Sequence, residues 1–172
     1  YEQISERMPV VDTTGKLRGF VLAAKQRGIL FDLGHGGAGF WFSQAVPAYK
    51  QGLAPNSFGS DLHRFSMNAG MKSMVNIMSK YMAIGMPLED AVLRATWNPA
   101  QSIHRPDLGN LSEGAVADIA LLRLIPGSFG FLDAGGTKIE GKQKLEAELT
   151  LRAGKIVWDL NGMAAQEIYH EK

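Results

Sequence analysis

The chain has 172 residues, 45% of them apolar, with 18 Lys and Arg against 17 Asp and Glu for a formal charge of +1. That is enough apolar material for one globular core, and charge so evenly interleaved argues against a nucleic-acid surface or an anionic-membrane face. With no cysteine there is no disulfide framework, thiolate metal site or cysteine nucleophile, so any metal must be held by His, Asp or Glu.

From Gly15 to Arg27, Leu17, Phe20, Val21 and Ala24 fall at i, i+3, i+4 and i+7, which predicts a helix stopped by Gly28. Ile29, Leu30 and Phe31 then form a short run bounded by glycines, as expected of a strand buried on both faces, leading into a glycine-rich loop with His35. Ser43 to Gln51 reads as a second helix with Ala45, Val46 and Tyr49 inward and Gly52 as terminator, provided Pro47 lies in its first turn. LAPNSFGSDLH supplies a turn, a very short strand and Asp61. Met71, Met74, Val75, Met78, Tyr81 and Met82 recur at steps of three and four, predicting a helix ended by Gly85 whose methionines pack in the core. A further helix opens at Pro87, with Leu88, Ala91, Val92 and Ala95 inward, and Asn98-Pro99 is expected to break it. Beyond about residue 107 the texture changes to strands punctuated by glycines, with RAGK as a tight turn. The order therefore predicts an α/β fold, in which βα units of a parallel sheet are followed by a small antiparallel β unit.

The longest apolar runs, ADIALL and GILFDLG among them, are far shorter than the roughly 20 residues needed to cross a bilayer. YEQISERMPV shows no positively charged region followed by an apolar stretch, and a cytoplasmic location is expected. No internal repeat and no low-complexity tract is evident.

His35 and Asp61 are the candidates for chemistry. Both follow short strands, so they are expected at neighbouring carboxyl ends of a parallel sheet, roughly 5 Å apart at the backbone, where α/β proteins bind ligands. A carboxylate beside an imidazole there can bind a divalent cation or take a proton from water. The alternatives are that His35 hydrogen-bonds a neighbouring loop and that Asp61 caps a following helix. His63 reads as structural support, and Asp32, inside a buried strand, as an orienting or capping group that needs partners. GHGGAG lacks the Lys-Ser/Thr of a phosphate loop and the spacing of a dinucleotide fingerprint.

Taken together, FDLGHGG, FGSDLH, MSKYMAIGMPLEDAVLRATWNPAQSI and LGNLSEGAVADIALL resemble the carboxyl-terminal half of a metal-dependent amidohydrolase, of the dihydroorotase-like and amidohydrolase/deacetylase group. Residues 79 to 122 carry the most specific phrase, and TLRAGKIVWDLNG resembles the usual closing strands. The resemblance implies the last units of a (β/α)8 TIM-type barrel over residues 1–106, then part of a small β-sandwich over residues 107–172. It implies that Asp61 ends the eighth strand, binds metal and shuttles the proton of the attacking water, and that His35 on the seventh strand contacts substrate or oxyanion, with metal ligation the lesser option. It also implies one or two divalent ions, zinc first, and a small-molecule substrate with an amide or related acyl bond. The family's first-strand His-x-His, its bridging lysine and its fifth- and sixth-strand histidines have no counterpart, which predicts that the amino-terminal half of the barrel is missing and that a strand histidine precedes YEQIS. A chain so placed is expected to be inactive alone. A non-catalytic interaction module, and an α/β enzyme using His35 and Asp61 without metal, are the rival readings. Substrate and oligomeric state stay open, a homo-oligomer included.

Overall fold

The structure is a computed structural model, and it describes residues 8–70 and 72–166. The YEQIS junction and Met71 lie outside the described residues.

The chain first turns back on itself: Asp12 Oδ1 accepts from the Thr14 and Lys16 amides and from the Thr14 hydroxyl, and this turn pairs Val11 with Leu17, both buried. Leu17 is thereby spent outside the helix that its spacing predicted. Helix α1 spans Gly19–Gln26 and buries Val21, while Phe20 and Leu22 stay exposed. It ends in a Schellman motif, with Gly28 at φ 80° and the Ile29 amide bonded to the Ala24 carbonyl. Because that cap consumes Gly28 and Ile29, strand β1 covers Asp32–Gly34 rather than the preceding Ile-Leu-Phe run. Ile29 and Leu30 are exposed, contrary to a strand buried on both faces, because the described residues give the strand one partner only.

Helix α2, Phe42–Lys50, holds Pro47 in its second turn rather than its first. Gln51 compensates by tying the helix end to the Asp12–Leu17 turn: its Oε1 accepts from the Leu17 amide, and its Nε2 donates to the Gly15 and Pro47 carbonyls. Strand β2, Ser57–Gly59, pairs in parallel with β1 in the register Asp32 to Ser57, Leu33 to Phe58 and Gly34 to Gly59. Helix α3, Met74–Ala83, is capped by the Ser73 hydroxyl and buries Ile77, Met78, Tyr81 and Met82, so the methionine stripe is core as its spacing predicted. Helix α4 covers Leu88–Ala95, with Glu89 and Asp90 in its first turn where the positive end of the helix dipole favours them.

Asn98-Pro99 does not break the helical path. It sits inside a short helix α5, Trp97–Ser102, whose first turn needs no proline amide, and the break falls at Thr96. Strands β3 (Ile119–Leu132), β4 (Lys138–Arg152) and β5 (Lys155–Asp159) form an antiparallel sheet in chain order. The predicted RAGK turn joins β4 to β5, with Ala153 at φ 49° and Gly154 at φ 75°, as a two-residue hairpin of that twist requires. Phe131 of β3 and Leu145 of β4 join Phe58, Tyr81 and Met82 in one apolar cluster, so the β unit packs on α3 and shares its core. Among the described residues no helix is long and apolar enough to cross a membrane.

Candidate functional site

The ladder of β1 and β2 continues past both strands: the His35 amide bonds the Gly59 carbonyl at 3.1 Å and the Gly36 amide bonds the Ser60 carbonyl at 3.0 Å. His35 and Asp61 are therefore brought to neighbouring strand ends, as predicted, but their side chains part company.

Asp61 is exposed and takes φ 47°, a left-handed conformation that Asp tolerates better than most residues. Its carboxylate lies over the Gly36 backbone: a Cβ built on Gly36 would stand 2.5 Å from Asp61 Oδ2, so only glycine leaves room there. The capping alternative fails on geometry. Residues 64–70 form turns rather than a helix, α3 starts at Met74 on its own Ser73 cap, and among the described residues the Asp61 carboxylate accepts no hydrogen bond. A carboxylate held open at the carboxyl edge of a parallel strand pair can bind a cation or carry a proton.

His35 turns inward and has no exposed surface. Its ring stacks on Phe40 at 4.8 Å, Nδ1 meets the Gly36 carbonyl at 3.0 Å, and Nε2 meets Lys80 Nζ at 2.8 Å. Burial pushes its pKa down to about 4, and the Lys80 ammonium adds to that. Both ring nitrogens have partners and the ring has no exposed surface, so the substrate contact that the resemblance implies for His35 would require the Lys80 or Gly36 bond to be exchanged.

Asp32 is exposed rather than buried and accepts the Ser57 hydroxyl, because the outer side of β1 lacks a covering neighbour among the described residues. His63 is exposed and its Nδ1 accepts from the Phe65 amide at 3.3 Å, which fits a local supporting role. Sequence reasoning missed Lys80 and Asp133. Lys80 is fully buried in α3, and the signal for it was present: with Ile77 and Tyr81 it makes an i, i+3, i+4 set, placing a lysine on the apolar face. Asp133 is buried at the β3 to β4 turn, where Oδ2 accepts from the Phe42 amide and Oδ1 from the Gly135 and Thr137 amides. A groove of about 640 Å³ runs beside β1 and α2, lined by Phe31, Asp32, Gly39, Gln44 and others.

As a metal centre the described residues are incomplete. No three of their His, Asp or Glu side chains gather in one place, and Asp61 offers one open carboxylate without a second ligand beside it.

These features define an α/β protein with a free carboxylate at the carboxyl end of a parallel βα pair. A sequence model of the amidohydrolase family matches residues 44–157, and the chain belongs to that family. It is 40% identical over 110 residues to a deacetylase of Agrobacterium fabrum, a match covering 63% of this chain and 27% of that protein. A crystal structure of an adenine deaminase superposes with a TM-score of 0.82 at 25% identity, over 87% of this chain and 41% of the other. A dihydroorotase structure gives 0.69 at 31% identity, over 81% and 38%. The chain spans about a quarter to two fifths of the length of the curated relatives it matches.

Proposed function

We propose that this chain is the carboxyl-terminal part of a metal-dependent hydrolase that cleaves an amide or related acyl bond of a small molecule, with Asp61 as its proton-carrying carboxylate. On this reading residues 1–106 are the last βα units of a (β/α)8 barrel and residues 107–172 belong to a small β-sandwich. The observation that carries it is the Asp61 carboxylate, unbonded among the described residues and held open at the carboxyl edge of parallel strands in a chain of the amidohydrolase family. The names of the relatives, deacetylase, adenine deaminase and dihydroorotase, support hydrolysis of a bond of this kind. The apolar side chains left exposed at Ile29 and Leu30, and the one partner that each short parallel strand has among the described residues, support a barrel completed by residues outside this chain.

Chemically, Asp61 accepts the proton of the attacking water as the water adds to the acyl carbon, and returns it to the leaving nitrogen. Asp61 would be one donor, among others supplied from outside this chain, to a divalent ion such as zinc, which when bound would make water acidic enough to deprotonate near neutral pH. His35 fixes the turn against which Asp61 rests. The test pairs this chain with the missing half of its barrel and measures amide hydrolysis. Asp61→Asn is expected to lower kcat by 10²-fold or more, within the usual range for losing an acid-base group; full activity in that variant overturns the assignment.

A further inference from the structure

Lys80 sits in the middle of α3 with no exposed surface. An ammonium removed from water must find acceptors, and it finds two: Nζ donates to the Gly70 carbonyl at 2.8 Å and to His35 Nε2 at 2.8 Å. An ammonium only donates, so Nε2 is the acceptor, and the proton of the neutral ring is on Nδ1, from which it donates to the Gly36 carbonyl at 3.0 Å.

These bonds reach both ends of the loop that carries Asp61. At its start the Gly36 amide holds the Ser60 carbonyl, and Asp61 Oδ2 occupies the space where a Gly36 side chain would stand. At its end Gly70 is wedged against the hairpin tip, where a Cβ would lie 2.4 Å from the Asp133 carbonyl oxygen. Asp133 fixes that tip to the first turn of α2 through the Phe42 amide, and its carboxylate is near enough to favour the Lys80 ammonium.

We propose that Lys80, backed by the β3 to β4 hairpin tip, is a positioning residue that clamps both ends of the Asp61–Gly70 loop and so sets the direction of the Asp61 carboxylate. Its importance for catalysis rests on Asp61 being the working carboxylate; the clamp itself does not. The β unit is then part of the site's support, because its tip holds Gly70 and carries the Asp133 carboxylate that favours the Lys80 ammonium.

The test is ¹⁵N NMR of the His35 ring together with amide hydrogen exchange in the 172-residue chain, in the unmutated protein and in Lys80→Met and Asp133→Asn. In the unmutated chain near pH 7 the expected ring carries its proton on Nδ1 and a bare, hydrogen-bonded Nε2. In Lys80→Met the Nε2 resonance should move toward that of an unbonded nitrogen, and the Ser66 and Ala69 amides should exchange at least tenfold faster while the α3 amides hold. Asp133→Asn should speed the same loop amides by a smaller factor. A proton on Nε2 in the unmutated chain, or loop exchange unchanged by both substitutions, overturns the clamp. If Lys80→Met does not fold, the unmutated ring and Asp133→Asn still decide. Faster loop exchange in Lys80→Met beside full activity of Asp61→Asn would leave the clamp standing and sink the functional reading instead.

Discussion

Asp61 and His35 are neighbours in the ladder with opposite environments, and that contrast sets what each can do. Asp61 is exposed at φ 47°, a conformation Asn tolerates as well as Asp does, so Asp61→Asn is expected to change the free energy of unfolding by no more than about 0.5 kcal/mol. Matched urea transitions beside a large loss of turnover would separate its chemistry from its structure. His35 is a stability group. Its folded pKa of about 4 lies below the ordinary 6.5, so between these values the unfolded chain binds the extra proton and acid destabilises the fold. Around it stand the Lys80 ammonium, which disfavours the charged ring, and the Gly36 carbonyl and the Asp133 carboxylate, which favour it but do not offset the burial. Stability should fall by up to roughly 1.4 kcal/mol per unit as pH drops from 6.5 to 5, the slope of one proton. Urea midpoints measured across that range should show this slope in the unmutated chain and lose most of it in His35→Gln.

Between elements, the decisive contact is α3 on β4. Ser79 is buried, donates to the Val75 carbonyl at 2.6 Å within its own helix, and accepts from the Leu145 amide at 2.9 Å, so one hydroxyl joins the helix to a bulged sheet. Ser79→Ala strands the Leu145 amide in the core and should cost about 1–3 kcal/mol. A lower urea midpoint at unchanged m-value is the expected result, since the fold survives with one buried donor unsatisfied. Helix ends were the most legible elements, because Gly28, Gly52 and Gly85 each supply the positive φ of a Schellman cap. Strand starts were the least legible. The Ile-Leu-Phe run looks like a buried strand whether or not a neighbour is there to cover it, and here the helix cap takes its first residue.

At the scale of the whole molecule, the described residues hold the Asp61 carboxylate open at the strand edge and no gathered set of metal donors. The purified chain should therefore carry well under one zinc per molecule by metal analysis after dialysis. Adding the amino-terminal half should raise that to one or two and slow the exchange of the Leu33 and Phe58 amides. Stoichiometric tight zinc on this chain alone would mean that the donor set lies within it, and would count against a site shared with another segment.

By itself the sequence determined the α/β order, the core face of α3, the glycine stops, the hairpin at Ala153-Gly154 and the strand-end placement of His35 and Asp61, which rest on local spacing and local dihedral needs, and its motifs resembled the family; the inward faces read for Phe20 of α1 and Val92 of α4 do not hold, both residues being exposed. Only the tertiary structure decided that His35 turns inward while Asp61 stays open, and that Lys80 and Asp133 meet around the loop between them. The physical reason is distance along the chain. Lys80 lies 45 residues from His35, and Asp133 reaches the same place from the tip of a long hairpin, so which side chains share a buried pocket is fixed by packing and by the need to satisfy every buried charge.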